Sequence, residues 1–368
     1  MKKILFVTNY PSPYRVQFFS YLGSDRNIDL DVAFMENANE QKHRDSSWFI
    51  KDYENFSPIF LKKRIKIKRG LFVCLEIFSL LKKDYDEIIF GGYSYLTIML
   101  GMVWMMIHRK EYSLEIDGGF ISKDSFIKKN IKSFFISHAN KFYSTGKISD
   151  EYLVYYGANK DKIHFYPFSS IEKEYVLTKP LTSQEKATIR KKINATEDVI
   201  LLFVGQFINR KGIDILMKAA NIMPSNYGIY IVGANAPSEY ISYKEKHDLH
   251  NLHFCGFKSK QELKDYYCAA DILVFPTRYD IWGLVVNEAL SNALPVITTD
   301  KCIAGLEMIE QGETGIIVQN ENYVEIADAV NEILSWNLYK TGEKALNTAK
   351  KYTIDTMAQR HVEIILGA

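Results

Sequence analysis

Two carboxylates stand close together in the stretch from Ala270 to Thr299, on either side of a predicted helix start. Asp280 and Glu288 are eight residues apart, and Gly283 opens the helix between them. Asp280 therefore precedes the first turn, while Glu288 lies a little over one turn inside. Both side chains can approach a ligand at the helix end, where carboxylates are good acceptors for sugar hydroxyl groups. The alternative is that Asp280 is an ordinary loop residue and Glu288 a solvated helix carboxylate.

The surrounding residues predict a strand, a loop, a helix and a second strand. The apolar run Ile272 to Phe275 has strand character and ends at Pro276, and the helix breaks before Leu294-Pro295. A buried parallel strand that leads into a helix N-terminus presents unpaired N–H groups at the carboxyl edge of a sheet, where anions bind. A nucleotide sugar, with its diphosphate and its hydroxyl groups, offers ligands for both the helix end and the carboxylates.

A second loop supplies positive charge. The apolar strand Val199 to Val204 is followed by a glycine-flanked loop, Gly205 to Gly212, that contains Arg210 and Lys211. Lysine offers a compact charge and arginine a bidentate fork, so this pair is a fair site for a diphosphate. The alternative is a loop that binds no phosphate.

Both stretches resemble a known family. The first carries, in order, Pro276, Thr277, Asp280, Trp282, Gly283, Leu284, Glu288 and Ala289. This run resembles the Glu-x7-Glu motif of the retaining family 4 glycosyltransferases, with Asp280 in place of the first Glu. The loop at Gly205 resembles the family's Gly-Arg-loop-Arg-Lys-Gly sequence, with Gln206 in place of the first Arg and Lys211 matching the Lys. The resemblance covers most of the chain, although only the second half carries specific motifs.

The resemblance implies the GT-B fold, in which two Rossmann-like domains face each other across a cleft, with a donor site in the second domain. The implied donor-binding residues are Gln206, Arg210, Lys211, Gly256, Phe257, Asp280, Ile281, Trp282, Gly283, Leu284 and Glu288. Lys211, Asp280 and Glu288 would form the catalytic set. Lys211 and Arg210, with the helix start, would stabilise the departing diphosphate. Glu288 would accept hydrogen bonds from the ribose, and Asp280 from the transferred sugar.

The implied reaction is sugar transfer with retention, in which the departing phosphate helps to deprotonate the acceptor, so that no metal and no cofactor is needed. UDP is the first expectation for the nucleotide and GDP the second. The implied acceptor is a lipid-linked saccharide or an oligosaccharide, for a capsule, O-antigen or lipopolysaccharide. Two alternatives stay open: another GT-B nucleotide-sugar enzyme, such as a non-hydrolysing 2-epimerase, and a non-catalytic GT-B partner subunit.

Short apolar runs alternate with helical stretches in both halves of the chain, and this pattern predicts an α/β fold with parallel sheets. The 368 residues suit two domains. We place an acceptor-binding domain at 1–168, a nucleotide-sugar-binding domain at 169–350, and a final helix at 351–368, which the resemblance packs against the first domain. We also predict a helix over Leu71 to Lys82 and a hairpin-like segment over Gly312 to Val318.

The acceptor is expected in the first domain, because the chain resembles bacterial surface-polysaccharide members of the family. The loops at the strand ends carry Tyr14, Arg15, Tyr93 and Asp117, and we assign these four residues to the acceptor side. Arg15 leaves two interpretations open: it meets an acceptor phosphate, or it is a surface helix residue.

Positive charge is concentrated in the first half. Residues 1–180 hold 27 Lys and Arg against 21 Asp and Glu, although the whole chain has a net charge of only +2. The excess lies at 62–69 and 128–141, where cations alternate with bulky apolar residues. Such segments suit an anionic membrane surface, at about 1 kcal/mol per basic residue, and the alternative is an ordinary solvated face. The modest excess, without a recognition motif, argues against nucleic acid.

The remaining features indicate a cytoplasmic protein, with a peripheral position on the inner face of the cell membrane as an open alternative. The N-terminal apolar run predicts a first strand rather than a signal peptide. Tyr95 to Ile107 predicts a buried helix, since a bilayer span needs roughly 20 residues. The four cysteines have no paired spacing, which is typical of a reducing compartment. The sequence Asp29-Leu30-Asp31 falls in or beside a strand, so we predict no metal site.

Overall fold

The computed structural model describes residues 1–36, 52–62, 64–68 and 71–367. They form two compact units. The first, here called the N-terminal unit, contains Met1–Ser170 and Thr353–Ala368. The second, the C-terminal unit, contains Ile171–Tyr352.

The N-terminal unit is built on a sheet of parallel strands. In chain order the strands of the unit are β1 (Lys2–Thr8), β2 (Ile28–Phe34), β3 (Ser57–Phe60), β4 (Arg64–Lys68), β5 (Leu71–Cys74), β6 (Glu87–Gly91), β7 (Ser113–Glu115), β8 (Lys141–Ser144) and β9 (Ile163–Phe165). The sheet has the order β3-β2-β1-β6-β7-β8-β9, while β4 and β5 form a separate antiparallel pair. The helices are α1 (Pro13–Gly23), α2 (Ile77–Leu81), α3 (Leu96–Ile107), α4 (Phe126–Ser137), α5 (Lys147–Tyr155) and, from the end of the chain, α14 (Ile354–Leu366).

The C-terminal unit repeats the pattern with a second parallel sheet of order β12-β11-β10-β13-β14-β15. Its strands are β10 (Val199–Val204), β11 (Tyr227–Val232), β12 (Leu252–Gly256), β13 (Ile272–Phe275), β14 (Val296–Thr299) and β15 (Gly315–Val318). Its helices are α6 (Ser183–Lys192), α7 (Ile213–Ala220), α8 (Ser238–Lys246), α9 (Lys260–Ala269), α10 (Leu284–Ser291), α11 (Ile303–Met308), α12 (Tyr323–Leu334) and α13 (Leu338–Ala349).

The central strands contain continuous apolar runs, as expected for parallel sheets that helices cover on both faces. In β1 the run from Ile4 to Val7 is completely buried, and all four residues of β13 are buried as well. Phe19 of α1 packs edge-on against Phe6 of β1, with ring centroids 5.0 Å apart. The predicted α/β fold with two Rossmann-like domains is confirmed.

Strand order in each sheet reverses at one place. β1 pairs with β6, and β10 pairs with β13, although neither pair is consecutive in the chain. Such a reversal opens a crevice at the carboxyl ends of the two strands, and open α/β sheets bind their ligands there. The loops after β10 and β13 are those that carry Lys211 and Asp280.

Two local predictions were wrong. The predicted helix over Leu71 to Lys82 is a strand, β5, followed by the short helix α2. Ile65 of β4 pairs with Val73. Residues 71–74 therefore form a strand rather than a helix because they pair with β4, a tertiary contact that outweighs local propensity. The predicted hairpin at Gly312 to Val318 is the parallel edge strand β15 beside β14.

The helix predicted at Tyr95 to Ile107 is confirmed as α3 (Leu96–Ile107), but only one face of it is buried, since Ile107 is 72% exposed. Across the ranges that the structure describes, no helix combines the length and the apolar character that crossing a bilayer requires.

Candidate functional site

The loops that follow β10 and β13 are bonded to each other. The backbone N–H of Arg278 donates to the carbonyl of Arg210 over 2.8 Å, and the Thr277 hydroxyl donates to the same carbonyl over 2.9 Å. These bonds fix residues 210–211 beside residues 277–280. The two stretches that the sequence singled out therefore form one site at the reversal point of the sheet.

Gly212 makes this close approach possible. Its φ is +71°, and a Cβ atom at this position would lie 1.9 Å from the carbonyl oxygen of Pro276. Any larger residue would push the two loops apart and would also be strained in the left-handed region.

Asp280 and Lys211 form the centre of the site. Lys211 Nζ lies 2.5 Å from Asp280 Oδ2 and 4.7 Å from the centre of the Phe275 ring. Arg210 Nη1 lies 3.0 Å from the same carboxylate oxygen. The Asp280 and Lys211 side chains are only 10% and 14% exposed, whereas that of Arg210 is 41% exposed. One carboxylate thus holds two cations at the sheet edge.

The backbone of Asp280 is fixed on both sides. Its N–H donates to the carbonyl of Lys301 over 2.9 Å, and its own carbonyl accepts from Ile303 over 3.3 Å. Nearby, the buried thiol of Cys302 donates to the carbonyl of Trp282 over 3.2 Å. Burial, together with the charge of Asp280, raises the pKa of that thiol to about 12, so it stays a neutral donor.

Glu288 lies inside α10 and accepts a hydrogen bond from the buried hydroxyl of Tyr267 over 2.6 Å. Burial raises the pKa of Glu288, while the bond from Tyr267 and the charges of Lys260 and Lys211 oppose this rise. The carboxylate is therefore held in one orientation, within the electrostatic reach of Lys211.

Arg278 supports the site from behind, and the sequence did not single it out. Its two terminal nitrogens each lie 2.7 Å from an oxygen of Asp214, and Nη1 also donates to the carbonyl of Asn209 over 2.7 Å. Its Nε donates to Glu321. The guanidinium thus ties the Arg210–Lys211 loop to the first turn of α7. Its place in the Pro276–Asp280 run was the only signal for this role.

The other residues of the predicted donor site lie around this centre. Gly283 has φ +104° and caps α10, and a Cβ there would lie 2.6 Å from Cys302 Sγ. The Trp282 indole is buried and donates to Asn287 over 2.8 Å, so its ring does not face solvent. Ile281 is 44% exposed, and Leu284 begins α10.

Three further predicted residues belong to neighbouring strand ends of the same sheet. Gln206 is exposed just after β10. Gly256 ends β12 with φ +66°, and Phe257 beside it is 60% exposed. These residues share the sheet edge with Lys211, because the carboxyl ends of parallel strands lie together.

In the N-terminal unit, Arg15 is buried rather than exposed, so the interpretation of Arg15 as a surface helix residue was wrong. Its Nη1 and Nη2 lie 3.2 Å and 2.7 Å from the two oxygens of Glu115, at the end of β7. The guanidinium also lies about 5 Å from the rings of Phe6, Phe18 and Phe19. This buried ion pair is bidentate, because the two terminal nitrogens of the guanidinium match the spacing of the two carboxylate oxygens.

His361 of α14 completes this cluster. Its Nε2 lies 3.1 Å from Glu115 Oε1, and its Nδ1 lies 2.8 Å from the carbonyl of Met357. The imidazole of His361 is therefore held between a carboxylate oxygen and a backbone carbonyl oxygen. Burial opposes the charged form of Glu115, but Arg15 and His361 outweigh it and hold the pKa of Glu115 at about 2. Neither Glu115 nor His361 was selected from the sequence, since nothing in their spacing links them.

Asp117 follows Glu115 at the same strand end. Burial raises the pKa of Asp117 to about 6; the nearby charge of Glu115 adds to this, while Arg15 and the hydroxyl of Tyr166 oppose it. Tyr166 donates toward Asp117 Oδ1 over 3.3 Å. The pKa of Asp117 therefore lies closer to neutral pH than that of an ordinary aspartate.

We expect Asp117 to make the N-terminal unit less stable as the pH rises. Its pKa is about 6 in the folded protein against an ordinary 3.8, so the folded state binds more protons between these values. The stabilisation is therefore complete below pH 4 and is lost through pH 6, a change of about 2–3 kcal/mol. Urea unfolding from pH 4 to pH 8 should show a flatter curve for Asp117→Asn than for the wild type. For the control Asp84→Asn, at an exposed position, the plot of unfolding free energy against pH should run parallel to that of the wild type. A parallel plot for Asp117→Asn would contradict the raised pKa of Asp117.

Tyr14 and Tyr93 are partly buried at the same edge. Tyr14 packs edge-on against Phe168 at 6.0 Å, and burial raises the pKa of its hydroxyl. The Tyr93 hydroxyl bonds to that of Tyr152. The four residues assigned to the acceptor side thus follow the carboxyl ends of β1, β6 and β7.

Comparison with known proteins agrees with this architecture. Residues 185–352 match the family model described as "Glycosyl transferases group 1". A protein of the cps region of Klebsiella pneumoniae is 32% identical over 193 residues, which are 50% of this chain and 52% of that protein. The lipopolysaccharide glucosyltransferase WaaG of Escherichia coli K12 is 25% identical over 175 residues. The matched region is about half the length of these relatives, 52% and 46% respectively.

Among solved structures, the Anabaena protein HepE in complex with UDP has a TM-score of 0.78 at 13% identity, with both chains covered completely. This likeness extends over both units and shows that the chain has the GT-B fold. Residues 185–352, which lie within the C-terminal unit, are similar to the group 1 glycosyl transferases.

Proposed function

We propose that the protein transfers a sugar, with retention of configuration, from a nucleotide diphosphate sugar to a lipid-linked saccharide during the synthesis of a bacterial surface polysaccharide. The observation that carries this proposal is the cluster of Lys211 and Arg210 with Asp280 at the reversal point of the C-terminal sheet. Cations that suit a diphosphate lie there beside a carboxylate that suits sugar hydroxyl groups.

The relatives support the choice of ligands. HepE has been solved with UDP and with UDP-glucose, and WaaG is named a lipopolysaccharide glucosyltransferase. We therefore assign a UDP-sugar as the donor. The cps-region relative supports a capsule-type or lipopolysaccharide-type acceptor.

In the proposed reaction, Lys211 and Arg210 stabilise the negative charge that grows on the departing diphosphate, together with the start of α10 at Gly283. Charge stabilisation of this kind comes from fixed side chains, and we propose that the reaction needs no metal. Glu288, oriented by Tyr267, accepts from the ribose hydroxyl groups. Asp280 accepts from the transferred sugar.

The test is a titration with UDP, GDP and a panel of their sugars in the presence of EDTA, followed by analysis of the products formed with lipid-linked saccharides. Micromolar binding of one nucleotide and transfer to an acceptor with retained anomeric configuration would support the proposal. Conversion of the donor to its 2-epimer without transfer would replace it with an epimerase. A folded protein that binds no nucleotide would replace it with a non-catalytic role.

We further propose that the N-terminal unit lies against the inner face of the cell membrane through α4. The helix buries Phe135 and Ile136 in the core, while Phe126, Ile127, Ile131 and Phe134 are 79%, 72%, 44% and 45% exposed. Lys128 and Lys129 lie on the same helix. Exposed apolar side chains interleaved with lysines suit an anionic lipid surface. In the β4–β5 pair, Ile65 and Ile67 are each 52% exposed, which adds a second such segment.

Replacing both Ile127 and Phe134 with serine is expected to weaken strongly the binding to vesicles that contain anionic lipid. The apolar contact is lost, and the remaining lysines hold only a weak, salt-sensitive attraction. Flotation with anionic and with neutral vesicles measures the effect. The control is Ile222→Ser, which removes an apolar side chain that is 52% exposed on the C-terminal unit and should leave binding unchanged. Equal flotation of all variants would contradict the role of α4.

A further inference from the structure

In the protein without ligand, the carboxylate of Asp280 is already paired with both cations of the site, Lys211 and Arg210. Its Oδ2 atom is the partner of both Lys211 Nζ, at 2.5 Å, and Arg210 Nη1, at 3.0 Å. Arg210 Nη1 is held in addition by the carbonyl of Tyr279 over 3.0 Å. A diphosphate that enters this site therefore meets a carboxylate already in place on the same two side chains.

The Asp280 carboxylate is not free to withdraw. Its main chain is tied to Lys301 and Ile303, which follow the neighbouring strand β14, and its side chain is short. Lysine, by contrast, has a long and flexible stem. When a diphosphate draws Lys211 and Arg210 toward itself, the Asp280 carboxylate stays in place, largely buried and without the two cations that balanced its charge. A buried charge that loses its partner is unfavourable unless new hydrogen bonds replace it.

A sugar on the diphosphate can supply those bonds. Its hydroxyl groups are donors, and an ionised carboxylate is an acceptor with several lone pairs. A nucleoside diphosphate without a sugar binds Lys211 and Arg210 but has no sugar hydroxyl groups that could donate hydrogen bonds to Asp280. The same carboxylate thus has opposite effects on the two ligands.

We propose that Asp280 is a resident counter-anion that sets the preference of the site for the sugar-bearing donor over the bare nucleoside diphosphate product. This inference rests on the proposed function. It assigns Asp280 a role in the release of product, because the return of the Lys211–Asp280 pair helps to displace a diphosphate that has lost its sugar.

The test compares the affinities of UDP and of the best-binding UDP-sugar for the wild type and for Asp280→Asn, which keeps the shape and removes the charge. Calorimetry of the full chain without metal gives both constants. UDP should bind the variant about 10-fold more tightly, and the ratio of UDP-sugar to UDP affinity should fall by a similar factor. The control is Asp300→Asn, which removes the charged partner of Lys301 at the same sheet edge. This change should alter the affinities for UDP and for the UDP-sugar by the same factor, so that their ratio stays constant.

The outcomes separate the inference from the function on which it rests. If the wild type binds UDP but Asp280→Asn binds it equally or more weakly, the inference is overturned and the proposed function stands. If the folded wild type binds no nucleotide, both fall. Should Asp280→Asn not fold, Asp280→Ser provides the same comparison. The tightening should also vanish when Lys211→Gln is combined with the Asp280 substitution, because the competition needs that cation.

Discussion

Replacing Arg15 with methionine is expected to lower the free energy of unfolding of the N-terminal unit by about 3–5 kcal/mol. Methionine keeps much of the apolar stem but removes the guanidinium that binds both oxygens of Glu115. Glu115 is then left completely buried with the imidazole of His361 as its remaining partner in this cluster. The pKa of Glu115, now about 2, should rise, since burial favours the protonated acid. Urea unfolding at pH 7, followed by the fluorescence of the unit, measures the loss.

The control for this change is Arg26→Met, at an exposed position after α1, where an effect within about 0.5 kcal/mol is expected. Combining Arg15→Met with Glu115→Gln should recover part of the loss, because the unpaired charge is removed together with its partner. A loss below 1 kcal/mol for Arg15→Met would show that the pair adds little, and would contradict its role as the charged centre of the unit.

Replacing Lys211 with alanine is expected to reduce kcat/KM for sugar transfer by about 100-fold to 1000-fold. The Lys211 side chain is the less exposed of the two cations at the reversal point, and alanine leaves only the more exposed Arg210 and the start of α10 to stabilise the departing diphosphate. Affinity for the free nucleotide should weaken by about 1–3 kcal/mol, the range of a lost charged hydrogen bond. Steady-state kinetics with the identified donor and calorimetry with UDP measure the two effects.

Lys218→Ala is the matched control, since this exposed lysine lies on α7, directly after the same loop. Its kinetics should equal those of the wild type. Unchanged activity of Lys211→Ala would place the diphosphate elsewhere. Equal loss in both variants would point to a general effect of charge rather than to a contact with the ligand.

The fold could be predicted because its signals are local. Apolar runs such as Ile272 to Phe275 and helix starts such as Gly283 are visible in short windows, and their alternation fixes a parallel α/β fold. The prediction failed where pairing with a neighbouring strand determined the secondary structure. Leu71 to Cys74 pairs with the strand at Arg64, and Gly315 pairs beside Val296, and such pairing depends on residues that a local window does not contain.

The candidate site was predictable in its types and spacing but not in its contacts. The eight-residue separation of Asp280 and Glu288 selected both residues, yet nothing in it shows that Asp280 bonds to Lys211, which lies 69 positions earlier. The bond from Tyr267 to Glu288 and that from His361 to Glu115 were equally hidden. Each joins elements that come together only after the sheet and its helices have packed.

The place of His361 has a consequence for synthesis of the chain. The ion cluster around Glu115 needs a partner that is translated 246 residues later, after the whole C-terminal unit has been made. The C-terminal unit is one continuous segment, and all of its residues are made before α14. The N-terminal unit begins first but finishes last, because the buried carboxylate of Glu115 has no contact with His361 until α14 has been made. Contacts between residues this distant in sequence slow folding. The N-terminal unit therefore reaches its native state only after α14 has been made and has packed.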